Sequence, residues 1–419
     1  MAQEIRIEDL AAPHLNEAQR AALAWGESVQ LDFSLGGVLA AARERTGLSD
    51  FGAEDFHERL GLLCEEWGGD RELTAMHRAV LFGYLSRYAS NRLLMQDALK
   101  RHPEILRQEI TAPVVVTGLP RSGTTHLVNL LAADERFHSL PLWESYEPLP
   151  LPGDAPLPDG RDPRYARCAA AWEGMQRVTP LLAAMHPMEP DHIHEELELM
   201  GPDFASYNFE WLSKSPRWRD HYYGHDQTPH YQYLRRMLQL LQWRRGVPGK
   251  RWVLKCPQHL EQLPVLLKVF PDATVVFTHR DPLAVLQSTL TMQAYTQRMQ
   301  RPRIEIQWLR GYWTDRIEHL LRGCVRDREL LPPGRSVDCA FHRFLRAPWQ
   351  ILEEVYAKAQ LPLHAATRSC LEHYLRAHPR GKAGQVVYDL RGDFAVEPQA
   401  LRRRFAFYSE RFGVEDERI

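Results

Sequence analysis

The loop at 118–125, Gly118-Leu119-Pro120-Arg121-Ser122-Gly123-Thr124-Thr125, carries residue types and a spacing suited to holding an anion. Two glycines bound it in the pattern G-x-x-x-x-G-x-T, and an apolar helical pattern begins where it ends. Exposed backbone N–H groups and the positive end of a helix dipole then face whatever sits in the loop. A nucleotide triphosphate loop carries Lys where this chain has Thr124, and that Lys neutralises the β- and γ-phosphates. Here the cation has moved into the loop, at Arg121. The loop therefore suits a shorter anion on the 5′ side of a nucleotide, held without a phosphate-reaching Lys.

A second anion site is suggested further along. Arg280 follows the apolar run 272–278, and Ser288 lies eight residues on, two turns into the next helical pattern. A guanidinium gives bidentate, charge-assisted bonds to phosphate and a hydroxyl adds one more. Two separated anion sites on one sheet edge point to a nucleotide with phosphates at both ends.

The elements that must position these groups follow from periodicity. Val114-Val115-Val116-Thr117 reads as a buried strand, with further strands expected at 136–142, 250–255, 272–278 and 336–340. Helical patterns lie between them, so the fold class is α/β: a P-loop-like three-layer fold around a mostly parallel sheet. Residues 1–110 read as an N-terminal helical region and 111–419 as the α/β domain, with a helical insertion at about 163–247. The insertion is crowded with aromatics, among them Phe209, Trp211, Trp218, Tyr222 and Tyr231, which fit a packed core and a substrate pocket equally well.

Composition narrows the class. A net charge of −2, with 25% charged and 44% hydrophobic residues, fits a soluble globular enzyme and gives no field for nucleic acid. No apolar run approaches the roughly 20 residues of a membrane span, and no signal peptide is evident, so a cytoplasmic location is expected. The six cysteines lack metal-site spacing, and no metal is expected. Oligomeric state stays open.

The paired motifs resemble those of the sulfotransferase superfamily that uses 3′-phosphoadenosine 5′-phosphosulfate (PAPS), in its bacterial branch with Pro-Arg-Ser-Gly-Thr-Thr loops. The resemblance covers about 111–413. It implies that Arg121, Ser122, Gly123, Thr124, Thr125 and His126 bind the 5′-phosphosulfate, and that Arg280 and Ser288 bind the 3′-phosphate. The stretch Arg380-Gly381-Lys382-Ala383-Gly384 loosely resembles the basic loop that closes over the 3′-phosphate, with Lys382 as its cation, although the family's Arg-Lys-Gly order is not kept.

Transfer to an alcohol also needs a proton acceptor. His259, in Lys255-Cys256-Pro257-Gln258-His259, resembles the catalytic His of cytosolic relatives and ranks first; Lys255 would contact the sulfuryl group or the bridging oxygen. His194 with Glu195 ranks second, and Glu144, which matches the catalytic Glu of tyrosylprotein-type relatives, third. The expected activity is sulfuryl transfer from PAPS to a hydroxyl of a small, hydrophobic alcohol or phenol, with no nucleic-acid partner. A P-loop kinase or NTPase and a catalytically inactive nucleotide-binding protein are the alternatives.

Overall fold

Seven strands appear in the computed structural model, which describes residues 3–379 and 384–419. They are β1 (Glu4–Arg6), β2 (Val114–Gly118), β3 (Phe137–His138), β4 (Arg251–Lys255), β5 (Thr274–His279), β6 (Ser336–Ala340) and β7 (Gln385–Val387). Five of them form an all-parallel sheet in the order β3-β4-β2-β5-β6. β2 and β5 are buried along their whole length, as their unbroken apolar runs require of central strands covered on both faces.

Strand alternation sorts these side chains into two cores. Val115, Leu254, Val275 and Phe277 join one cluster with Leu234 and Leu238 of the Thr228–Arg245 helix and Leu286 and Leu290 of the Pro282–Gln300 helix. Val114, Val116, Val253 and Val276 face the other way, against Leu127 and Leu131 of the Thr124–Ala132 helix and Ile351 and Val355 of the Pro348–Lys358 helix. The result is the three-layer α/β arrangement that the strand and helix pattern implies.

The N-terminal helices Leu35–Thr46, Phe56–Gly69 and Ala75–Arg101 do not form a core of their own. They share one with Phe204, Phe209, Trp218 and Tyr222 of the insertion. Most of the insertion's aromatics are therefore packing residues. A buried ionic cluster ties the insertion to the sheet domain: Arg316, on the Ile306–Asp327 helix, donates to Glu210 at 2.9 and 3.0 Å and to Glu261 at 2.6 and 2.7 Å. All three side chains are within a few per cent of complete burial.

Two expectations are corrected. The strand expected at 136–142 shrinks to Phe137–His138, because Pro141 caps a short helix, Leu142–Tyr146, which carries Glu144. The two-stranded β1–β7 pair was not anticipated; three-residue strands are too short to show periodicity. The six cysteines are free thiols, five of them buried. Among the described residues no helix is long and apolar enough to cross a membrane.

Candidate active site

The loop after β2 is built tightly. Gly118 pairs with Thr278 in the β2–β5 register, and a Cβ on Gly118 would lie 2.0 Å from the Thr278 hydroxyl and 2.8 Å from its carbonyl oxygen. The Ser122 hydroxyl lies 2.6 Å from that of Thr278, so Ser122 staples the loop to β5 and is itself buried. Gly123, at φ 91°, turns the chain into the Thr124–Ala132 helix, which has no side-chain cap bond among the described residues. The first amides of a helix lack intrahelical acceptors, so those of Thr124, Thr125 and His126 are available to an anion. Gly118→Ala is expected to cost about 1–3 kcal/mol by overpacking β2 against β5. A denaturation midpoint matching the parent would contradict this.

Arg121 also has a left-handed backbone, φ 66°, which sends its side chain away from its own loop. Its Nε donates to Ser288 Oγ at 3.0 Å and its guanidinium also donates to the Met185 carbonyl. The expected split, with Arg121 on the 5′ side and Ser288 on the 3′ side, is thereby altered: the guanidinium stands beside Ser288. Ser288 in turn donates to the Tyr388 hydroxyl at 3.1 Å. Arg280, just past β5, donates to the Arg121 carbonyl at 2.6 Å and lies over the Phe341 ring. Its remaining donors hold both oxygens of Glu417, at 2.6 and 2.8 Å. Arg121, Arg280 and Ser288 thus form one basic cluster. Lys382 lies outside the described residues.

The cation beside the start of the loop helix is Lys255, at the end of β4. It is almost fully buried, with Nζ 3.3 Å from Thr125 Oγ1 and ion-paired to Glu195. Glu195 sits in the segment 192–195, which Asn129 clamps to the loop helix: Asn129 Nδ2 donates to the Ile193 carbonyl at 2.9 Å, and the Ile193 N–H donates to Asn129 Oδ1 at 3.0 Å. Burial raises the Glu195 pKa above its ordinary value, with Lys255 opposing. His186 joins the same wall, its Nε2 3.2 Å from that of His194. Burial and nearby charges hold all three histidines neutral, His186 at about 3, His192 at about 4 and His194 well below normal. His194 Nδ1 and His192 Nε2 are buried with no hydrogen-bond partner in the protein.

Two sequence candidates for the base are misplaced. His259 is fully buried behind β4, where Tyr231 donates to Nδ1 at 2.8 Å and Nε2 donates to Glu196 at 3.2 Å. With both ring nitrogens engaged and no exposed surface, it has no access to an acceptor. Glu144 is buried and ion-paired to Arg245. His194 and Glu195, by contrast, line the cleft with Arg121, Gly123, Thr124, Thr125, His126 and Arg280.

Sequence reasoning passed over Asn129 and His186. An Asn in the apolar run Leu127-Val128-Asn129-Leu130-Leu131 was the readable signal, since a buried amide must find partners. His186 gave none, because its partner His194 is brought to it only by the fold.

The cleft encloses about 1960 Å³ and runs from the loop between the insertion and the N-terminal helices. Its walls there are mostly apolar, with Trp25, Met76, Val80, Val178, Leu182 and Met292, and carry charged residues such as Arg45 and Arg87.

An all-parallel five-stranded sheet, with a glycine-bounded anion loop after its central strand and a basic cluster at the next strand's end, defines a P-loop-like group-transfer fold. The chain belongs to the sulfotransferase family, whose model matches residues 113–365. It is 26% identical over 312 residues to the Mycobacterium tuberculosis protein omega-hydroxy-beta-dihydromenaquinone-9 sulfotransferase Stf3, covering 72% of this chain and 76% of that one. The crystal structure of sulfotransferase STF9 from Mycobacterium avium superposes with a TM-score of 0.81 at 26% identity, covering 92% of this chain and 99% of that one. Sulfotransferase STF1 from Mycobacterium tuberculosis H37Rv gives 0.76 at 28% identity, covering 88% and 97%.

Proposed function

We propose that the protein transfers the sulfuryl group of PAPS to the hydroxyl of a long, hydrophobic alcohol, with Glu195 as the general base. The observation that carries this reading is the meeting, at one end of an apolar cleft, of an uncapped helix start, Lys255 and Glu195.

The donor's phosphosulfate would lie on the amides of Thr124, Thr125 and His126, with Lys255 beside the bridging oxygen. Its 3′-phosphate would lie at the cluster of Arg280, Ser288 and Arg121. Glu195 takes the acceptor's proton as its oxygen forms the new O–S bond. The bond from sulfur to the bridging oxygen breaks, and the electron pair leaves with 3′-phosphoadenosine 5′-phosphate (PAP), where Lys255 and the helix amides offset the growing charge. His186 and His194, held neutral, add no positive charge that would lower the basicity of Glu195.

The apolar length of the cleft favours an acceptor with a hydrocarbon chain, and the Mycobacterium relative's name specifies a hydroxylated lipid quinone. Incubation with ³⁵S-labelled PAPS and separate pools of long-chain primary alcohols, phenols and glycans tests this. Label is expected in the lipid alcohols; transfer confined to glycans would overturn the acceptor class.

Glu417 stands where the 3′-phosphate would bind, so the donor must displace it from Arg280. The pair is partly buried, each side chain 16% exposed, and a charge-assisted contact of this kind is worth about 1.5–3 kcal/mol, so Glu417→Gln is expected to tighten PAP binding by about fivefold or more. Weaker binding in the variant would place the 3′-phosphate elsewhere.

A further inference from the structure

His221 and His225 lie four residues apart, the first on the Pro216–Gly224 helix and the second at its C-cap. Their rings stack with centroids 3.9 Å apart. Glu58 approaches from a different helix, Phe56–Gly69, placing Oε1 3.3 Å from His221 Nε2. One donor atom from each of the three residues lies within 4.8 Å of the others.

Two details prepare these groups as ligands. His225 Nδ1 lies 2.7 Å from the His221 carbonyl, to which it donates, so the proton is fixed on Nδ1 and the Nε2 lone pair is left free. A second bond of this kind orients a ligating imidazole and sets its tautomer. His221 Nε2 is buried with no hydrogen-bond partner in the protein, although the Glu58 carboxylate is close. None of the three residues lines the cleft.

We infer that Glu58, His221 and His225 form a divalent transition-metal site, best suited to zinc, that clamps the N-terminal helices to the insertion. Two imidazole nitrogens and one carboxylate make a borderline donor set, and tetrahedral zinc completes its shell with water on the exposed side of Glu58. Donors around zinc sit about 3.4 Å apart at bond lengths near 2.1 Å, so binding draws the three ligand atoms, now within 4.8 Å of one another, closer together. The clamp adds to the shared aromatic core between the same two helices and is independent of the transfer reaction. Sequence spacing gives no hint of it, because the third ligand comes from another helix.

The full-length protein, stripped with chelator, is titrated with Zn²⁺ by calorimetry and with Co²⁺ by visible absorption, alongside thermal melts. One equivalent is expected to bind, with tetrahedral Co²⁺ bands and a raised melting temperature. His225→Ala and Glu58→Gln, both at solvent-facing positions, are expected to weaken Zn²⁺ binding by at least about tenfold and to remove the thermal shift. His194→Ala should retain both effects. No binding by the stripped protein, or equal binding in the His225→Ala and Glu58→Gln variants, would overturn the assignment.

Discussion

Glu195→Gln is expected to lower kcat by about 10²–10⁴ while leaving donor affinity nearly unchanged. The amide keeps the carboxylate's shape and still accepts from Lys255, so the variant removes the proton acceptor and little else. The pH profile gives an independent reading. A base works only when deprotonated, so kcat falls as pH drops through the Glu195 pKa. Burial raises that pKa, so the acid limb should lie above the usual Glu value of about 4.3. In Glu195→Gln the limb should vanish. Near-parental turnover in this variant, or an unchanged acid limb, would remove Glu195 from the role and leave it to His194.

Arg316→Ala is expected to destabilise the protein by about 3–5 kcal/mol. The substitution strands Glu210 and Glu261, two carboxylates buried to within a few per cent, with no cation to offset their desolvation. Burial already raises the Glu210 pKa against Arg316's pull, so loss of the guanidinium drives that carboxyl toward its neutral form. Adding Glu210→Gln and Glu261→Gln to the variant should restore part of the stability, because the stranded charges are then gone. Chemical denaturation measures both effects. A loss below about 1 kcal/mol for the single variant, or no recovery in the triple one, would mean that the cluster does not hold the insertion to the sheet.

The central strands were legible because each is buried on both faces and reads as an unbroken apolar run. The anion loop was legible because glycine spacing, a preceding strand and a following helix coincide within a few residues. What sequence could not supply was side-chain direction. Arg121 sits in the loop but, at φ 66°, reaches Ser288 on the neighbouring helix. Lys255, not Arg121, is the cation whose side chain lies beside the start of the loop helix. His259 had a suitable residue type near a suitable strand, yet the turn after β4 points it into the protein against Tyr231 and Glu196. His194 and Glu195 were visible only as a polar cluster; Asn129, through its two bonds to Ile193, brings them to the loop.

The most direct test of the account is calorimetric titration of PAP and of Mg²⁺·ATP into the protein and its Arg280→Ala variant, which needs no knowledge of the acceptor. PAP should bind with one equivalent, and Arg280→Ala should weaken it at least about tenfold, as expected for a lost charge-assisted pair to phosphate. Mg²⁺·ATP should give no comparable binding. Tight binding of Mg²⁺·ATP without PAP binding, or equal PAP affinity in the variant, would contradict the two-phosphate donor site.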